Sequence, residues 1–357
     1  MPKITRLDLH AVDLPFRVKF KHAASSRETS SSLFLKCTLD TGASGWGEAL
    51  PRPYVTGETR DSACALLAEQ VLPRLVGREF ASFADLHGFL LECDGVAPAD
   101  WVAPGTAQSA AWCAVDLALL DAFGKHFGSG PYPEESGSLP PGFRYSGVLT
   151  SGKGLKRTLQ LLAYRILGYR ALKLKVDNDT SEEDLQSIRR LSGRIALRAD
   201  ANMAWTVEDA LREMPLEAKY GIGSFEQPLA ADDLDGAARL VAETGLDVMA
   251  DESLNTRESL ELLIRKKACT AVNARVSKCG GLIATLRRCR EAVDAGLWVQ
   301  VGCQVGESSI LSAAHLHLCH AFGKMRHAEG CFGKLLLSED PVVPLLQMKG
   351  GGKPPAR

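Results

Sequence analysis

Two different hydrophobic patterns divide the chain. Between residues 3 and 50, apolar and polar residues alternate in TRLDLHAVDL, SSLFLKCTL and GWGEAL, which predicts three β-strands. The polar stretch HAASSRETSS and the turn DTGASG are predicted to connect them. Between residues 60 and 128, apolar residues recur at helical spacing. The sequence therefore predicts an N-terminal α+β domain over residues 1–128.

A stretch rich in glycine, proline and serine marks the end of this domain and predicts a linker over residues 129–142. From residue 143 to residue 330, strand-like and helix-like segments alternate, which is typical of a parallel β/α barrel. The predicted barrel strands are 144–149, 171–176, 195–200, 224–228, 247–251, 271–277, 298–303 and 325–330. The predicted fold class is thus α/β, a modified (β/α)8-type TIM barrel with an N-terminal α+β capping domain.

The C-terminal segment, residues 331–357, is too short for another domain. Part of it is expected to return to the capping domain, and its end, MKGGGKPPAR, is expected to be disordered.

Composition limits the classes of partner. The formal net charge of -1 favours neither nucleic acid nor an anionic membrane, and no run of 18 apolar residues is available to span a bilayer. The first residues, MPKITRLDLHAVDL, lack the apolar core of a signal peptide. The ten cysteines are scattered without any CxxC pair, which is typical of buried free thiols in a reducing compartment. We therefore expect a cytoplasmic protein.

Three acidic residues recur at a nearly constant interval in the barrel region. Asp200 ends LRAD, Glu226 lies in SFEQP, and Asp251 lies in MADES, with gaps of 26 and 25 residues. One strand, one helix and two loops consume about this many residues in a β/α barrel, so the three carboxylates are predicted to lie side by side at the strand ends. A single acid such as Asp251 could instead cap the next helix, but three at one period favour a common site.

Lysines bracket the acids at the same interval. Lys175 lies 25 residues before Asp200, and Lys278 lies 27 residues after Asp251. In ALKLKV, Lys173 and Lys175 are two residues apart, so they share one face of a strand. A surface pair is the alternative, although outward lysines on a barrel strand would lie beneath the helix layer. We therefore expect both lysines to face the barrel mouth.

Three carboxylates without histidine or cysteine suit a hard cation, which predicts Mg²⁺, with Mn²⁺ also acceptable, on Asp200, Glu226 and Asp251. Glu252 is a rival ligand or an acceptor near the ligands. Neighbouring cations should lower the pKa of Lys175 and Lys278 from about 10.4 toward the range in which a lysine acts as a base. Such a site suits proton removal next to a substrate carboxylate.

Together these motifs resemble the enolase superfamily, in its muconate cycloisomerase-like (mandelate racemase/muconate lactonizing enzyme) subgroup, close to the dipeptide epimerases. The resemblance covers essentially the whole chain and rests on GEALPRPYVTGET, KLK, DAN, EQP, ADES and SKCGG. It implies Mg²⁺ on the three acids, Lys175 and Lys278 as the acid/base pair, and Lys173 as the tuning lysine. It also implies a homo-oligomer and a capping domain whose loops, near residues 20–26 and 53–57, close the barrel mouth.

One departure concerns the substrate. Dipeptide epimerases of this subgroup usually carry Asp-x-Asp on the eighth strand to hold the substrate ammonium group, whereas HAEGCFGK offers Glu329 alone. Glu329, with His327 beside it, could line the substrate pocket, or Glu329 could be a structural acid. The candidate substrate-binding residues are Tyr54, Asn202, Cys303, Gln304 and Glu329, and Glu307 is a further candidate.

The favoured function is an Mg²⁺-dependent isomerase that removes the proton α to a carboxylate through a metal-stabilised enediolate. Its substrate is expected to be a small carboxylate, either a dipeptide or N-substituted amino acid for a racemase or epimerase, or the substrate of a cycloisomerase. The alternatives are a lyase or dehydratase of the same superfamily, such as an o-succinylbenzoate synthase-like enzyme or a hydroxy-acid dehydratase, a Schiff-base barrel aldolase, and a non-catalytic metal-binding scaffold.

Overall fold

A three-stranded antiparallel sheet opens the fold. The computed structural model describes residues 1–22, 25–132, 138–149 and 154–355, with the backbone alone for residues 18–22 and 25–27. The strands pair in the order β1-β2-β3. Their bounds are β1 Ile4–His22, β2 Ser25–Leu39 and β3 Ser44–Ala49.

The prediction of a loop at residues 22–31 is wrong for the described residues. Strand β2 begins at Ser25, and the serines after it pair with β1. Ser30 Oγ donates to the carbonyl of Gly306. Of the lid segment predicted near residues 20–26, residues 23 and 24 lie outside the described residues.

Helices cover one face of this sheet, and their bounds are α1 Pro53–Thr56, α2 Arg60–Leu66, α3 Leu72–Leu75, α4 Phe83–Cys93 and α5 Ser109–Phe127, with a π-helical turn at Leu67–Val71. The long helix α5 packs directly on β3. A Cβ atom at Gly47 would lie 2.0 Å from the carbonyl oxygen of Ala114, so glycine permits this close approach. The apolar residues of β2, including Leu33 and Leu35, are buried in the same core.

The second domain confirms the predicted barrel strands. Eight parallel strands pair in the order β11-β10-β9-β8-β7-β6-β5-β4. The amide of Ser146, next to β4, donates to the carbonyl of Ala328 in β11 at 2.8 Å, which joins the two ends of the sheet. The bounds are β4 Gly147–Leu149, β5 Ala171–Lys175, β6 Ala196–Asp200, β7 Ile222–Glu226, β8 Val248–Ala250, β9 Ala271–Ala274, β10 Trp298–Val301 and β11 His327–Ala328.

Helices alternate with these strands as far as β11. Their bounds are α6 Leu155–Ile166, α7 Glu182–Ser192, α8 Val207–Ala218, α9 Leu234–Thr244, α10 Arg257–Lys266, α11 Leu282–Asp294 and α12 Ser309–Phe322. Ser181 caps α7, because its side chain accepts a hydrogen bond from the amide of Asp184. Within the described residues, no helix has the length and apolar character needed to cross a membrane.

The C-terminal segment begins with α13 Gly333–Leu336 and then contacts both domains. Leu337 forms an antiparallel bridge with Phe16 of β1. The expected disorder of MKGGGKPPAR is wrong for the described residues, since Gly352 is buried and its carbonyl accepts a hydrogen bond from the Tyr145 amide at 2.7 Å. A Cβ atom at Gly352 would lie 2.2 Å from the Tyr145 carbonyl oxygen, so the absence of a side chain allows this docking.

All ten cysteines fall within the described residues and are free thiols. Eight of them are buried, as their positions in apolar segments predict. The predicted domain boundaries and linker stay predictions, and residues 133–137 of that linker lie outside the described residues.

Candidate active site

The three predicted carboxylates end three successive strands. Asp200 and Glu226 are the last residues of β6 and β7, and Asp251 directly follows β8. The backbone register pairs Asp200 with Glu226. All three side chains are buried. The barrel therefore brings the three acids together at one end, as their spacing predicts.

The lysines lie on both sides of this group. The register pairs Lys175, which ends β5, with Asp200, and Lys278 follows β9. Strands β5 and β9 are the second and sixth of eight, so the two lysines belong to opposite sides of the barrel. Lys175 Nζ donates to Asn202 Oδ1 at 2.9 Å. Lys278 is fully buried, and its Nζ donates to Asp251 Oδ1 at 2.7 Å.

Lys173 lies deeper in the barrel than Lys175, on the same face of β5. Its Nζ is 3.2 Å from Asp200 Oδ2, 3.2 Å from Glu226 Oε1 and 2.8 Å from Glu329 Oε2. Lys173 is therefore the cation at the centre of three buried carboxylates rather than a group on the open mouth.

Burial and neighbouring charge move the pKa values of these groups in different directions. Burial lowers the pKa of Lys173, but Glu226, Glu329 and Asp200 together outweigh burial and raise it. Burial lowers the pKa of Lys175, with a further lowering from Lys173. Burial, followed by the charge of Arg275, lowers the pKa of Lys278 to about 7. Both lysines predicted as bases thus have the direction of shift that a base requires.

Arg275 is a site residue that the sequence reasoning missed. Its guanidinium contacts Asp251 Oδ2, and Nη2 lies 3.5 Å from Glu226 Oε1. Together with Lys173 and Lys278, Arg275 neutralises the charge of the carboxylates. Among the described residues, no three acidic, histidine or cysteine side chains are arranged so that they could hold a metal ion. The donor set nevertheless fits a hard cation, because three buried carboxylates converge on positive charge. The Arg275 guanidinium contacts two of the three carboxylates that would hold such a cation, Asp251 and Glu226.

A buried polar layer beneath the carboxylates was also missed. Asn273 Nδ2 donates to Glu226 Oε1 at 2.8 Å, and Gln300 Nε2 donates to Glu226 Oε2 at 3.2 Å. Arg198 Nη2 donates to Glu329 Oε1 at 2.6 Å. The signal available in the sequence was a polar residue inside an apolar strand, as in LRAD and WVQVGC.

The structure places two of the predicted substrate-binding residues in contacts within the protein. Glu329 is buried and paired with both Arg198 and Lys173, which favours the structural acid of the two alternatives. Gln304 is buried too, and its amide donates to the Leu50 carbonyl of the first domain at 3.4 Å. Both side chains are therefore already engaged within the protein.

The other candidates are half-buried. Tyr54, Asn202 and Cys303 keep part of their surface accessible, and so do Lys175 and Arg275. These partly exposed residues contrast with the buried acids beneath them. A cavity of about 780 Å³ elsewhere, between β1–β3, α5 and α12, is lined by none of the predicted site residues.

The first domain is bonded to the loops beside the site. Asn255 Nδ2 donates to the Val55 carbonyl at 3.0 Å, which ties α1 to the segment after Asp251. Ser308 Oγ donates to Glu48 Oε2 at 2.5 Å, and burial raises the pKa of Glu48 to about 7. These contacts hold the first domain over the barrel end that carries the lysines and acids.

The fold and the site define a parallel β/α barrel with two lysines on opposite sides of a carboxylate set. Residues 158–356 match the family described as enolase C-terminal domain-like, and residues 5–130 match the mandelate racemase/muconate lactonizing enzyme N-terminal domain. The chain belongs to this family of the enolase superfamily, as its motifs predict, and it is an isomerase of that superfamily.

Two curated relatives match nearly the whole chain. The N-succinyl-L-Arg/Lys racemase of Bacillus cereus is 29% identical over 326 residues, which are 90% of this chain and 85% of that protein. Its crystal structure has a TM-score of 0.85 and covers 99% of this chain and 94% of that one. The L-Lys-D/L-Arg epimerase of Methylococcus capsulatus is 30% identical over 371 residues, covering 96% and 99%.

A third relative shares the fold. A dipeptide epimerase of Enterococcus faecalis, complexed with Mg and the dipeptide L-Leu-L-Tyr, has a TM-score of 0.79 at 24% identity and covers 99% and 96% of the two chains.

Proposed function

We propose that this protein is an Mg²⁺-dependent racemase or epimerase that inverts the α-carbon of an N-acylated amino acid. The observation that carries the proposal is the position of Lys175 and Lys278 at the ends of the second and sixth barrel strands. Two amines that approach one carbon from opposite sides can remove a proton on one face and return a proton on the other. Similarity to racemases and epimerases supports this reaction.

Asp200, Glu226 and Asp251 would hold the cation, which supplies stabilisation of negative charge on the substrate carboxylate. The chain itself supplies the two proton-transfer groups and the burial that excludes water around them. Burial lowers the pKa of both lysines, for Lys278 to about 7, which is the direction of shift that a proton acceptor requires. In each direction one lysine accepts the α-proton while the protonated lysine opposite donates its own.

The state of Glu329 supports an N-acylated substrate. A free α-ammonium group needs an anionic partner when it leaves water. Glu329 lies in the stretch where the Asp-x-Asp motif is expected, but its two oxygens are 2.6 Å from Arg198 Nη2 and 2.8 Å from Lys173 Nζ. An amide nitrogen carries no charge, so an N-acylated amino acid does not require the missing carboxylate.

Solvent exchange tests this proposal. Purified protein with Mg²⁺ in D₂O is incubated with the separate enantiomers of N-acetyl and N-succinyl amino acids, and α-deuterium is followed by mass spectrometry. Wild type should racemise and exchange both enantiomers. Lys175→Ala and Lys278→Ala should both lose racemisation, while each still exchanges the α-proton of one enantiomer, and of opposite enantiomers. Lys219→Ala, at an exposed lysine, is the control.

Other outcomes separate the alternatives. Loss of exchange with both enantiomers in both variants would contradict the two-base reaction. A cycloisomerase or a lyase would instead convert muconate-type or hydroxy-acid substrates to products of altered ultraviolet absorbance. Activity that survives EDTA would favour a Schiff-base aldolase.

The substrate class is tested separately, by comparing kcat/KM for a dipeptide with kcat/KM for its N-acetyl form. A charge-assisted hydrogen bond contributes about 1.5–3 kcal/mol, so the acetylated form should be preferred by roughly 10- to 100-fold. A preference for the free dipeptide would refute the N-acyl assignment while leaving the two-base reaction intact.

A further inference from the structure

Helix α6 turns an apolar stripe toward solvent. Leu155 is 74% exposed, Leu159 57%, Leu162 37% and Ile166 84%, and the adjoining Leu167 is 54% exposed. A surface helix of a globular protein normally turns this face toward the core. On α6, large aliphatic side chains instead form a continuous exposed row.

The opposite face of α6 already attaches the helix to the barrel. Leu161 is fully buried, and Tyr164 Oη donates to the Val148 carbonyl at 2.8 Å. Arg157 forms an ion pair with Asp184 of α7. The exposed stripe therefore contributes little to the packing of its own chain, and aliphatic surface of this kind marks an interaction site.

The spacing of the stripe identifies the partner. The steps between Leu155, Leu159, Leu162 and Ile166 are four, three and four residues, which is the a/d pattern of two helices packed side by side. This pattern reads the same in both directions. A second α6 that runs antiparallel therefore matches the first across a two-fold axis, with Leu155 opposite Ile166 and Leu159 opposite Leu162, and each contact is made twice.

We propose that α6 is a homodimer interface in which the stripe packs against the same stripe of a second copy of this chain. The charges beside the stripe permit the antiparallel arrangement. Lys156 borders one edge and Arg165 the other. In antiparallel packing each edge meets the same edge of the partner, so Lys156 lies beside Ala163 of the second copy and Arg165 beside its Thr158. No two of these cations are placed face to face.

The contact is short. Eleven residues of helix separate Leu155 from Ile166, which is about 16 Å. An interface centred on this stripe falls at the small end of specific interfaces, so the dimer should dissociate on dilution. An anionic membrane is the other chemistry that a basic, leucine-rich helix could meet, and the experiment below distinguishes it.

Sedimentation velocity of the full chain between about 1 and 100 µM tests the proposal, independently of any substrate. Wild type should shift from monomer to dimer across this range. The double variant Leu159→Glu/Ile166→Glu should stay monomeric with an unchanged circular dichroism spectrum, because both side chains are exposed in the single chain. The matched control Leu335→Glu, at a residue 62% exposed elsewhere, should dimerise like wild type.

Cysteine crosslinking tests the antiparallel register. Under mild oxidation, a mixture of Leu155→Cys and Ile166→Cys chains should form disulfide-linked dimers between the two variants, and each variant alone should form few. Wild type, whose cysteines are mostly buried, gives the background. A monomeric wild type at 100 µM, a double variant that dimerises like wild type, or a monomer that cosediments with phosphatidylglycerol vesicles through this stripe would overturn the proposal.

Discussion

Glu329→Gln tests whether this acid supports the site or binds the substrate. The substitution removes one negative charge and keeps the shape of the side chain. Glu329 Oε1 lies 2.6 Å from Arg198 Nη2, and Oε2 lies 2.8 Å from Lys173 Nζ, with all three side chains at most 8% exposed. After the substitution, the buried cations Arg198 and Lys173 both lose the carboxylate with which they form ion pairs.

The expected loss of stability follows from that geometry. Breaking a buried ion pair by removing one partner costs about 3–5 kcal/mol. The glutamine carbonyl still accepts one hydrogen bond, so we expect a value near the lower end, about 3 kcal/mol. In the double variant Arg198→Met/Glu329→Gln the excess positive charge is gone, and the loss should be smaller than the sum of the two single losses.

Urea denaturation followed by circular dichroism measures these values, and kinetics adds a second readout. Because the proposed function assigns Glu329 no contact with the substrate nitrogen, KM for an N-acylated substrate should stay within about threefold of wild type, while kcat falls as Lys173 loses one of its three carboxylates. Glu243→Gln, which removes an exposed pair with Arg239, should cost under about 1 kcal/mol. Unchanged stability together with a tenfold rise in KM for free dipeptides would refute the reasoning.

Three further changes test the metal and an ion pair. Asp200→Asn should weaken Mg²⁺ binding at least tenfold by calorimetry; equal affinity would remove it from the ligands. Arg275→Met should strengthen Mg²⁺ binding several-fold, because a competing cation is gone, whereas Arg212→Met at the surface should not. Hydrogen bonds from Arg157 and Ser181, with the charge of Arg157, lower the pKa of Asp184 to about 2, so their combined stabilisation, about 2 kcal/mol, is complete above about pH 5 and is lost between about pH 5 and pH 1. The stability difference between wild type and Asp184→Asn should shrink only in that window; a constant difference would contradict it.

Local chemistry and spacing were sufficient to predict the ring of reactive residues. Each β/α unit consumes a similar length of chain, so Asp200, Glu226 and Asp251 reach the same end of the barrel whatever fills its interior. The alternation of Lys173 and Lys175 with leucine predicted their common face for the same local reason.

The hydrogen bonds and ion pairs inside the barrel could not be predicted from local sequence patterns. Arg198 and Glu329 are 131 residues apart in sequence and meet only because β6 and the end of β11 point into one interior. The contact of Gln304 with Leu50 depends on how the first domain lies on the barrel, and that position is absent from any local pattern. The docking of Gly352 on Tyr145 likewise depends on a groove formed by distant segments.

By itself, the sequence determined the fold class, the family and the position of Lys175 and Lys278 around the carboxylates, because strand periodicity and repeat length are local properties of the chain. The tertiary structure alone decided that Lys173, Arg198 and Glu329 form one buried charge network, that Arg275 shares the carboxylates, and that α6 exposes its aliphatic face. Electrostatic energy depends on distance through space, and burial depends on the residues that surround a side chain, so neither can be read from positions along the sequence.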